Sequence, residues 1–284
     1  MAYLANPAHT VAVLEKHGIR AQKKYGQNFL IDPHVLEKIM DGAEISKNDL
    51  VIEIGPGIGT MTQYLAERAG QVIAVEIDEK LLPVLDDTLK DYDNVRVVNA
   101  DILKTDIRKL TEEYGGYSGY KIVANLPYYI TTPILMALLE GESRPQSVTV
   151  MVQKEVADRM GAEPGTKDYG ALSLAIRYYT DPHIITAVSP SSFIPRPNVD
   201  SSVICLRVYG PEERPVKAAD EKKMFALIRA SFNQRRKTLV NGIANAGISE
   251  KSAAAKALEE MGLKENIRGE CLSIEQFARL SELL

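Results

Sequence analysis

Cysteine and histidine are scarce in this sequence, and their spacing removes several functions at once. The two cysteines, Cys205 and Cys271, lie far apart and form no C-x-x-C pair. Neither a zinc site nor a disulfide framework is expected, and both read as buried thiols of a reducing compartment. The four histidines, His9, His17, His34 and His183, contain no H-x-x-x-H ligand pair, so no metal is implied. No apolar run approaches the length of a membrane span, and the N-terminus lacks the basic-then-apolar order of a signal peptide. A soluble cytoplasmic protein with no membrane partner is the expectation. Internal repeats and low-complexity tracts are absent too, as is any excess of positive charge, the formal net charge being −4. What remains is a chain of 284 residues, 45% of them apolar, which is enough to bury an α/β core and carry a small second domain.

Apolar runs near residues 50–54, 72–76, 95–98, 121–124 and 148–152 alternate with helical patterns, which predicts a doubly wound, Rossmann-like α/β sheet. Ile184–Val188 and Ser202–Val208 are closer together, separated by the Pro-rich stretch Pro190–Pro197, and suit an antiparallel pair at one edge. The polar stretch Tyr209–Pro215 reads as a linker, after which the pattern is helical to Leu284. The expected domains are therefore residues 1–211, which bind a ligand and carry the chemistry, and residues 212–284, a small α domain. Val11, Val13 and Leu14 mark a short helix before Tyr25, within a segment, residues 1–24, expected to be flexible without a partner.

Asn125-Leu126-Pro127-Tyr128, directly after the apolar run Lys121–Ala124, supplies what methylation of a base amine needs. The lone pair of an exocyclic amine is delocalised into the purine ring, and hydrogen-bond acceptors aimed at its two N–H bonds would free it. The Asn125 amide oxygen is one acceptor; the Leu126 carbonyl is the second if Pro127 holds Leu126 extended. Tyr128 then offers a flat face for the base. The competing reading is a strand end turning into a helix capped by Thr131 or Thr132 ahead of Pro133.

Leu50–Thr60 is an apolar run that breaks into alternate glycines, Gly55, Gly57 and Gly59, before the helical pattern Met61, Leu65, Ala69. Glycines let a ligand approach the backbone, and the helix N-terminus favours a carboxylate or phosphate. The dinucleotide fingerprint G-x-G-x-x-G is not matched, because the third glycine comes one residue early and Pro56 lacks a donor. Glu53 would repel a diphosphate but suits the ammonium of a methionine moiety, directly or through water. S-adenosylmethionine therefore fits better than NAD. Glu76, closing its strand, can accept both ribose hydroxyls, and Asp101 can accept from the cofactor's adenine amine. Their neighbours Ile77 and Ile102, together with Asn125, are also expected to bind the cofactor. An antiparallel edge is also typical of class I methyltransferases.

The chain resembles the ribosomal RNA adenine N6,N6-dimethyltransferases of the bacterial small-subunit (16S rRNA, KsgA) type, along most of its length. Gly26-Gln27-Asn28-Phe29-Leu30 is similar to the family's N-terminal cofactor motif, in which Asn28 and the Leu30 backbone would hold the methionine end. Phe193-Ile194-Pro195-Arg196-Pro197-Asn198-Val199-Asp200-Ser201 matches the family's F-x-P-x-P-x-V-x-S segment, whose Phe193 would cover the target adenine opposite Tyr128. Gln153–Ala157, Pro164-Gly165, Tyr169-Gly170 and Arg235–Leu239 also look family-specific. The resemblance implies dimethylation of two adjacent adenosines in the 3′-terminal hairpin loop of small-subunit rRNA, on an immature 30S particle, by a monomer. Within the fold the alternative is the antibiotic-resistance methyltransferase acting on large-subunit rRNA, which typically reads Asn-Ile-Pro-Tyr.

Charge is unevenly spread. Residues 205–284 hold 14 Lys and Arg against 11 Asp and Glu, a balance of +3, which leaves −7 for residues 1–204. Arg229, Arg235, Arg236 and Lys237 cluster in the basic part, while Lys23, Lys24, Lys154, Arg159, Lys167 and Arg196 lie in segments expected near the pocket mouth. Singly each reads as a solvated side chain; together they suggest phosphate contacts to folded RNA. A nicotinamide dehydrogenase explains only the glycine turn and Glu76, and a noncatalytic ribosome-assembly factor only the basic domain.

Overall fold

The computed structural model describes residues 3–19, 27–127, 129–210 and 212–284. In chain order the elements are α1 (Pro7–Lys16), β1 (Phe29–Leu30), α2 (Pro33–Gly42), β2 (Leu50–Ile54), α3 (Thr60–Arg68), β3 (Gln71–Glu76), α4 (Leu82–Thr88), β4 (Val95–Asn99), α5 (Ile107–Glu112), β5 (Tyr120–Asn125), α6 (Thr131–Glu140), β6 (Ser147–Gln153) and α7 (Lys154–Met160). They continue with α8 (Ala171–Tyr179), β7 (Thr180–Val188), β8 (Phe193–Ile194), β9 (Ser201–Val208), α9 (Glu221–Asn233), α10 (Leu239–Asn245), α11 (Lys251–Glu260) and α12 (Ile274–Leu283).

Seven strands form one sheet in the order β4-β3-β2-β5-β6-β9-β7. The pairs β3–β4, β2–β3, β2–β5 and β5–β6 are parallel, and β9 runs antiparallel to β6. Every residue of β2 is buried, as expected of a central parallel strand covered on both faces, whereas β4 at the edge is half-exposed. Register matters most for function. Ile54 stands opposite both Val75 and Ala124, so the next residue of each chain segment, Gly55, Glu76 and Asn125, comes to the same C-terminal edge. This is the Rossmann-like arrangement expected from the strand runs, with the two strands expected at one edge, β9 and β7, neighbours there and β9 antiparallel to β6.

A separate two-stranded ribbon pairs β1 with β8, Phe29 opposite Ile194 and Leu30 opposite Phe193. The Asp32 side chain fastens the same two segments. One oxygen caps α2 by accepting from the His34 and Val35 N–H groups, and the other accepts from the Ser192 hydroxyl at 2.9 Å. Such a cap contributes about 1 kcal/mol.

The chain divides into two compact units, Met1–Ala157 with His183–Val208, and Asp158–Pro182 with Tyr209–Leu284. This departs from the expected boundaries of 1–211 and 212–284, because residues 158–182 join the C-terminal helices. The cause is a set of nonlocal bonds. The Tyr169 hydroxyl donates to the Leu272 carbonyl at 2.8 Å, Gly165 N–H donates to the Glu270 carbonyl at 2.8 Å, and the Tyr169 ring meets Phe232 edge-on. Tyr178 and Tyr179 pack on Phe225, and both hydroxyls donate to the Glu221 carboxylate, which also holds Arg214.

Two further expectations are corrected. Within the segment expected to be flexible, residues 3–19 are packed: α1 is capped by Asn6, Thr10 is fully buried with its hydroxyl on the Leu4 carbonyl, and Leu4 N–H donates to Gln63 at 3.0 Å. Its Val13 and Leu14 pack against a cluster of Leu4, Phe29, Ile58, Leu81 and Val84. Cys205 is half-buried, but Cys271 is exposed, because a 3-10 turn over Gly269–Cys271 presents it to solvent.

Candidate active site

A cleft opens at the C-terminal edge of β2, β3 and β5 and is lined by the ends of those strands, the segment Gln27–Leu30, and Phe193. Its volume of about 170 Å3 is many times the roughly 10–15 Å3 that a single water needs, so it has room for an organic ligand.

The glycine turn is built for close approach. Gly55, Gly57 and Gly59 all have positive φ, at 70°, 63° and 91°. A Cβ on Gly57 would sit 3.3 Å from the Phe29 ring, and one on Gly59, the residue capping α3, 3.0 Å from the Thr88 hydroxyl. A Cβ on Gly55 would meet nothing within 4 Å, so there the backbone conformation alone calls for glycine.

Glu53 is 1% exposed and lines the cleft from β2. Neither of its carboxylate oxygens makes a hydrogen bond among the described residues, nor does the buried Thr62 hydroxyl. Burial pushes the carboxyl up to about 8; nearby Thr62 offsets part of this without hydrogen-bond geometry, and the Glu76 charge adds to it. A buried carboxylate lacking a partner is costly, and a cationic ligand would relieve it.

Glu76 is also buried, but its oxygens are engaged: one accepts from Gly57 N–H at 3.1 Å and the other from Asp78 N–H at 2.8 Å. Burial raises its pKa, opposed by those two backbone donors and by Ile77. Each carboxylate oxygen retains a second lone pair, so the group can still accept from hydroxyls in the cleft. Asp78 supports this corner, accepting from the Gln27 side chain at 3.1 Å. Asp101 caps a 3-10 turn, one oxygen accepting from Leu103 N–H at 3.0 Å, while the other lies 3.7 Å from Lys104. Ile77, half exposed, and Ile102 present apolar surface to the same cleft.

Asn125 ends β5 and donates through Nδ2 to the Asn28 carbonyl at 3.1 Å. A carbonyl can only accept, so this bond fixes which end of the amide is which and leaves Oδ1 as the acceptor. Leu126 N–H donates to the Met151 carbonyl, while the Leu126 carbonyl accepts from no described residue. The Pro127 carbonyl closes the turn, accepting from Ile130 N–H at 3.1 Å and the Thr131 hydroxyl at 3.2 Å. Neither Thr131 nor Thr132 caps α6, whose N-cap is Ile130 without a side-chain bond. Tyr128 lies outside the described residues. Phe193 lines the cleft yet is 2% exposed and belongs to a core cluster with Leu30 and Met151.

The cleft thus brings together Asn28, Leu30, Glu53, Gly55, Gly57, Glu76, Ile77, Asp101, Ile102, Asn125, Leu126, Pro127 and Phe193. It also recruits residues that motif reading passed over, chiefly Gln27, Thr60, Met61, Leu81 and Tyr129. Tyr129 is 64% exposed at the cleft; its only sequence signal was adjacency to the Asn-Leu-Pro-Tyr motif.

Among the described residues, none of these basic side chains lines this cleft. Lys23 and Lys24 lie outside the described residues. Lys154 and Arg196 are exposed in the first unit, and Arg159, Arg229, Arg236 and Lys237 in the second. Arg235 is committed internally: it donates to Glu270 at 2.6 Å and to the Lys167 carbonyl at 2.7 Å.

Comparison with known proteins agrees with this architecture. The chain is 58% identical over its whole length to a ribosomal RNA small subunit methyltransferase A of Lachnoclostridium phytofermentans, covering 98% of that protein. It is 50% identical to the protein of that name from Alkaliphilus metalliredigens, over 99% of this chain and 98% of the relative. Among solved structures, a dimethyladenosine transferase from Plasmodium falciparum superposes with a TM-score of 0.75 at 26% identity, over 89% of this chain and 95% of that one. The 23S rRNA methyltransferase ErmE superposes with a TM-score of 0.67 at 27% identity, over 90% and 99%. The sequence model of the ribosomal RNA adenine dimethylase family matches residues 18–284, and this chain belongs to that family.

Proposed function

We propose that this chain dimethylates N6 of two adjacent adenosines in the 3′-terminal hairpin loop of small-subunit rRNA, using S-adenosylmethionine. It acts as a monomer on an immature 30S particle in the cytoplasm. The observation that carries this reading is the fixed Asn125 amide: held through Nδ2 by the Asn28 carbonyl, it keeps Oδ1 as an acceptor beside the Leu126 carbonyl, which accepts from no described residue.

S-adenosylmethionine, when bound, supplies an electrophilic methyl group. Glu53 would neutralise its ammonium, with Asn28 and the Leu30 backbone at the methionine end; Glu76 would accept from the ribose hydroxyls, Asp101 from the adenine amine, and Ile77 and Ile102 would contact the ring. The unpartnered Glu53 carboxylate and the open space at Gly55 fit such a ligand better than a diphosphate. Asn125 Oδ1 and the Leu126 carbonyl accept the two amine hydrogens of the target adenine and localise its nitrogen lone pair. Positioning and this polarisation provide most of the acceleration. No base is needed beforehand, because the amine becomes acidic only as its new bond forms, and its proton then leaves to solvent or a nearby oxygen. Tyr128 and Phe193 would face the two sides of the extruded base.

The similarity to the 23S rRNA methyltransferase ErmE keeps the large subunit as the alternative target, but the relatives near half identity or above carry small-subunit names. Incubating the protein and labelled methyl donor with unmethylated 30S particles and, separately, with large-subunit RNA distinguishes them. Mapped dimethyladenosine in small-subunit RNA alone is expected; methylation confined to large-subunit RNA would overturn the assignment.

A further inference from the structure

A second pocket lies one strand along the same edge of the sheet. Asn125 pairs with Met151, and β6 runs two residues further to Gln153, where α7 begins. The pocket is lined by Gln153, Lys154, Glu155, Asn198, Val199 and Asp200. Its walls are joined, since Lys154 N–H donates to the Asp200 carbonyl at 3.0 Å and Gln153 stands in register with Ser201. The loop that supplies Asn198–Asp200 follows β8, whose Phe193 lines the cleft, so one stretch of chain contributes to both pockets.

The chemistry of the lining is specific. Val199 is 44% exposed and gives an apolar surface. The side-chain amides of Gln153 and Asn198 each offer donors and an acceptor, and neither makes a side-chain hydrogen bond among the described residues. Glu155 and Asp200 only accept, and Lys154 supplies one positive charge. Two carboxylates disfavour a free anion. A planar base with an exocyclic amine, attached to a single phosphate, matches acceptors, amides, apolar floor and lysine together. Uracil, with carbonyls in place of an amine, offers the two carboxylates only its ring N–H and matches them less well.

We propose that this pocket holds the nucleotide adjacent to the target adenosine and reads its exocyclic amine. This rests on the function proposed above and adds that both adenosines of the pair are engaged in each round, one in the cleft and one here. Their exchange between rounds would present the second for methylation.

The test uses small-subunit particles in which one adenosine of the pair is replaced by purine riboside, which lacks only the amine, with methylation of the other adenosine as the readout. The wild-type protein should lose about tenfold in kcat/KM on at least one of the two substituted particles. Asn198→Ala and Glu155→Gln, both at exposed positions, should each lose a similar factor on unmodified particles and less than about threefold more on the substituted one. Their cofactor affinity and unfolding temperature should match wild type. Full wild-type activity on both substituted particles, or losses that multiply between residue and base, overturn the subsite. If the wild-type protein methylates no unmodified particle, the functional reading fails instead.

Discussion

Asn125 and Glu53 are polar residues whose use depends on what their neighbours leave unsatisfied. The Asn28 carbonyl commits one end of the Asn125 amide and thereby exposes the other. In the proposed mechanism Asn125→Ala removes the acceptor aimed at the reacting amine, so turnover should fall about a hundredfold or more while cofactor affinity changes little. Single-turnover methylation within about threefold of wild type would contradict the role, since tenfold already corresponds to only about 1.4 kcal/mol. Glu53 titrates in the opposite sense from a salt-bridged acid. Its folded pKa, about 8, lies above the ordinary 4.5, so between those values the folded protein holds a proton that the unfolded chain has lost. Stability therefore falls as pH rises from about 4.5 towards 8. Glu53→Gln should flatten that slope in denaturant titrations of the cofactor-free protein. Pairing with an ammonium requires the ionised form, so cofactor binding near pH 7 should release about one proton. Calorimetry in buffers of different ionisation enthalpy reads this directly, and equal release from wild type and Glu53→Gln would remove Glu53 from the ammonium site.

At the scale of elements, strands that were easy to read and strands that were invisible differ in what determines them. The runs in β2, β3, β5 and β6 are buried on both faces, and their composition alone marks them. β7 begins at Thr180, before the expected Ile184, because its first half contains Pro182 and polar residues and leaves Ile184 57% exposed. The β1–β8 ribbon has two residues a side joined across more than 160 positions, so no local pattern announces it. Yet that ribbon holds Phe193 at the cleft. Its burial means that Phe193→Ala would open a core cavity and cost about 3–5 kcal/mol whether or not the ring stacks on adenine. Phe193→Leu is the sharper experiment. It keeps most of the volume, at a cost under about 1.5 kcal/mol, and removes the aromatic face. A stacking role predicts an unfolding midpoint near wild type, unchanged cofactor affinity, and about a tenfold or greater loss in RNA methylation, within the 1–3 kcal/mol typical of one base–aromatic contact. Normal RNA methylation by Phe193→Leu would leave Phe193 a packing residue.

Across the whole molecule, charge and unit membership were only half legible. The excess of basic residues after position 205 could be counted, but not which of them are free to meet a phosphate. Pro164-Gly165 and Tyr169-Gly170 stood out as motifs without revealing that they fasten residues 158–182 to the C-terminal helices, because their partners, Glu270 and Leu272, lie about a hundred positions away. Further bonds to the same two segments separate Arg235 from its neighbours. Its guanidinium, though exposed, is engaged by Glu270 and the Lys167 carbonyl, whereas Arg236 and Lys237, exposed as well, have no ion pair among the described residues. RNA affinity with net charge −4 must come from local cations of this kind, and each neutralised phosphate adds about 0.7–0.9 to the slope of log affinity against log salt. The double variant Arg236→Ala with Lys237→Ala should therefore lower that slope by roughly 1 to 2, weaken binding to small-subunit particles, and leave the unfolding midpoint in place. Arg235→Ala should do the reverse, lowering the midpoint while the salt slope holds. If the double variant binds with the wild-type slope, these residues touch no phosphate; if Arg235→Ala alone reduces it, the Arg235 guanidinium is the RNA contact, and its bonds to Glu270 and the Lys167 carbonyl give way on binding.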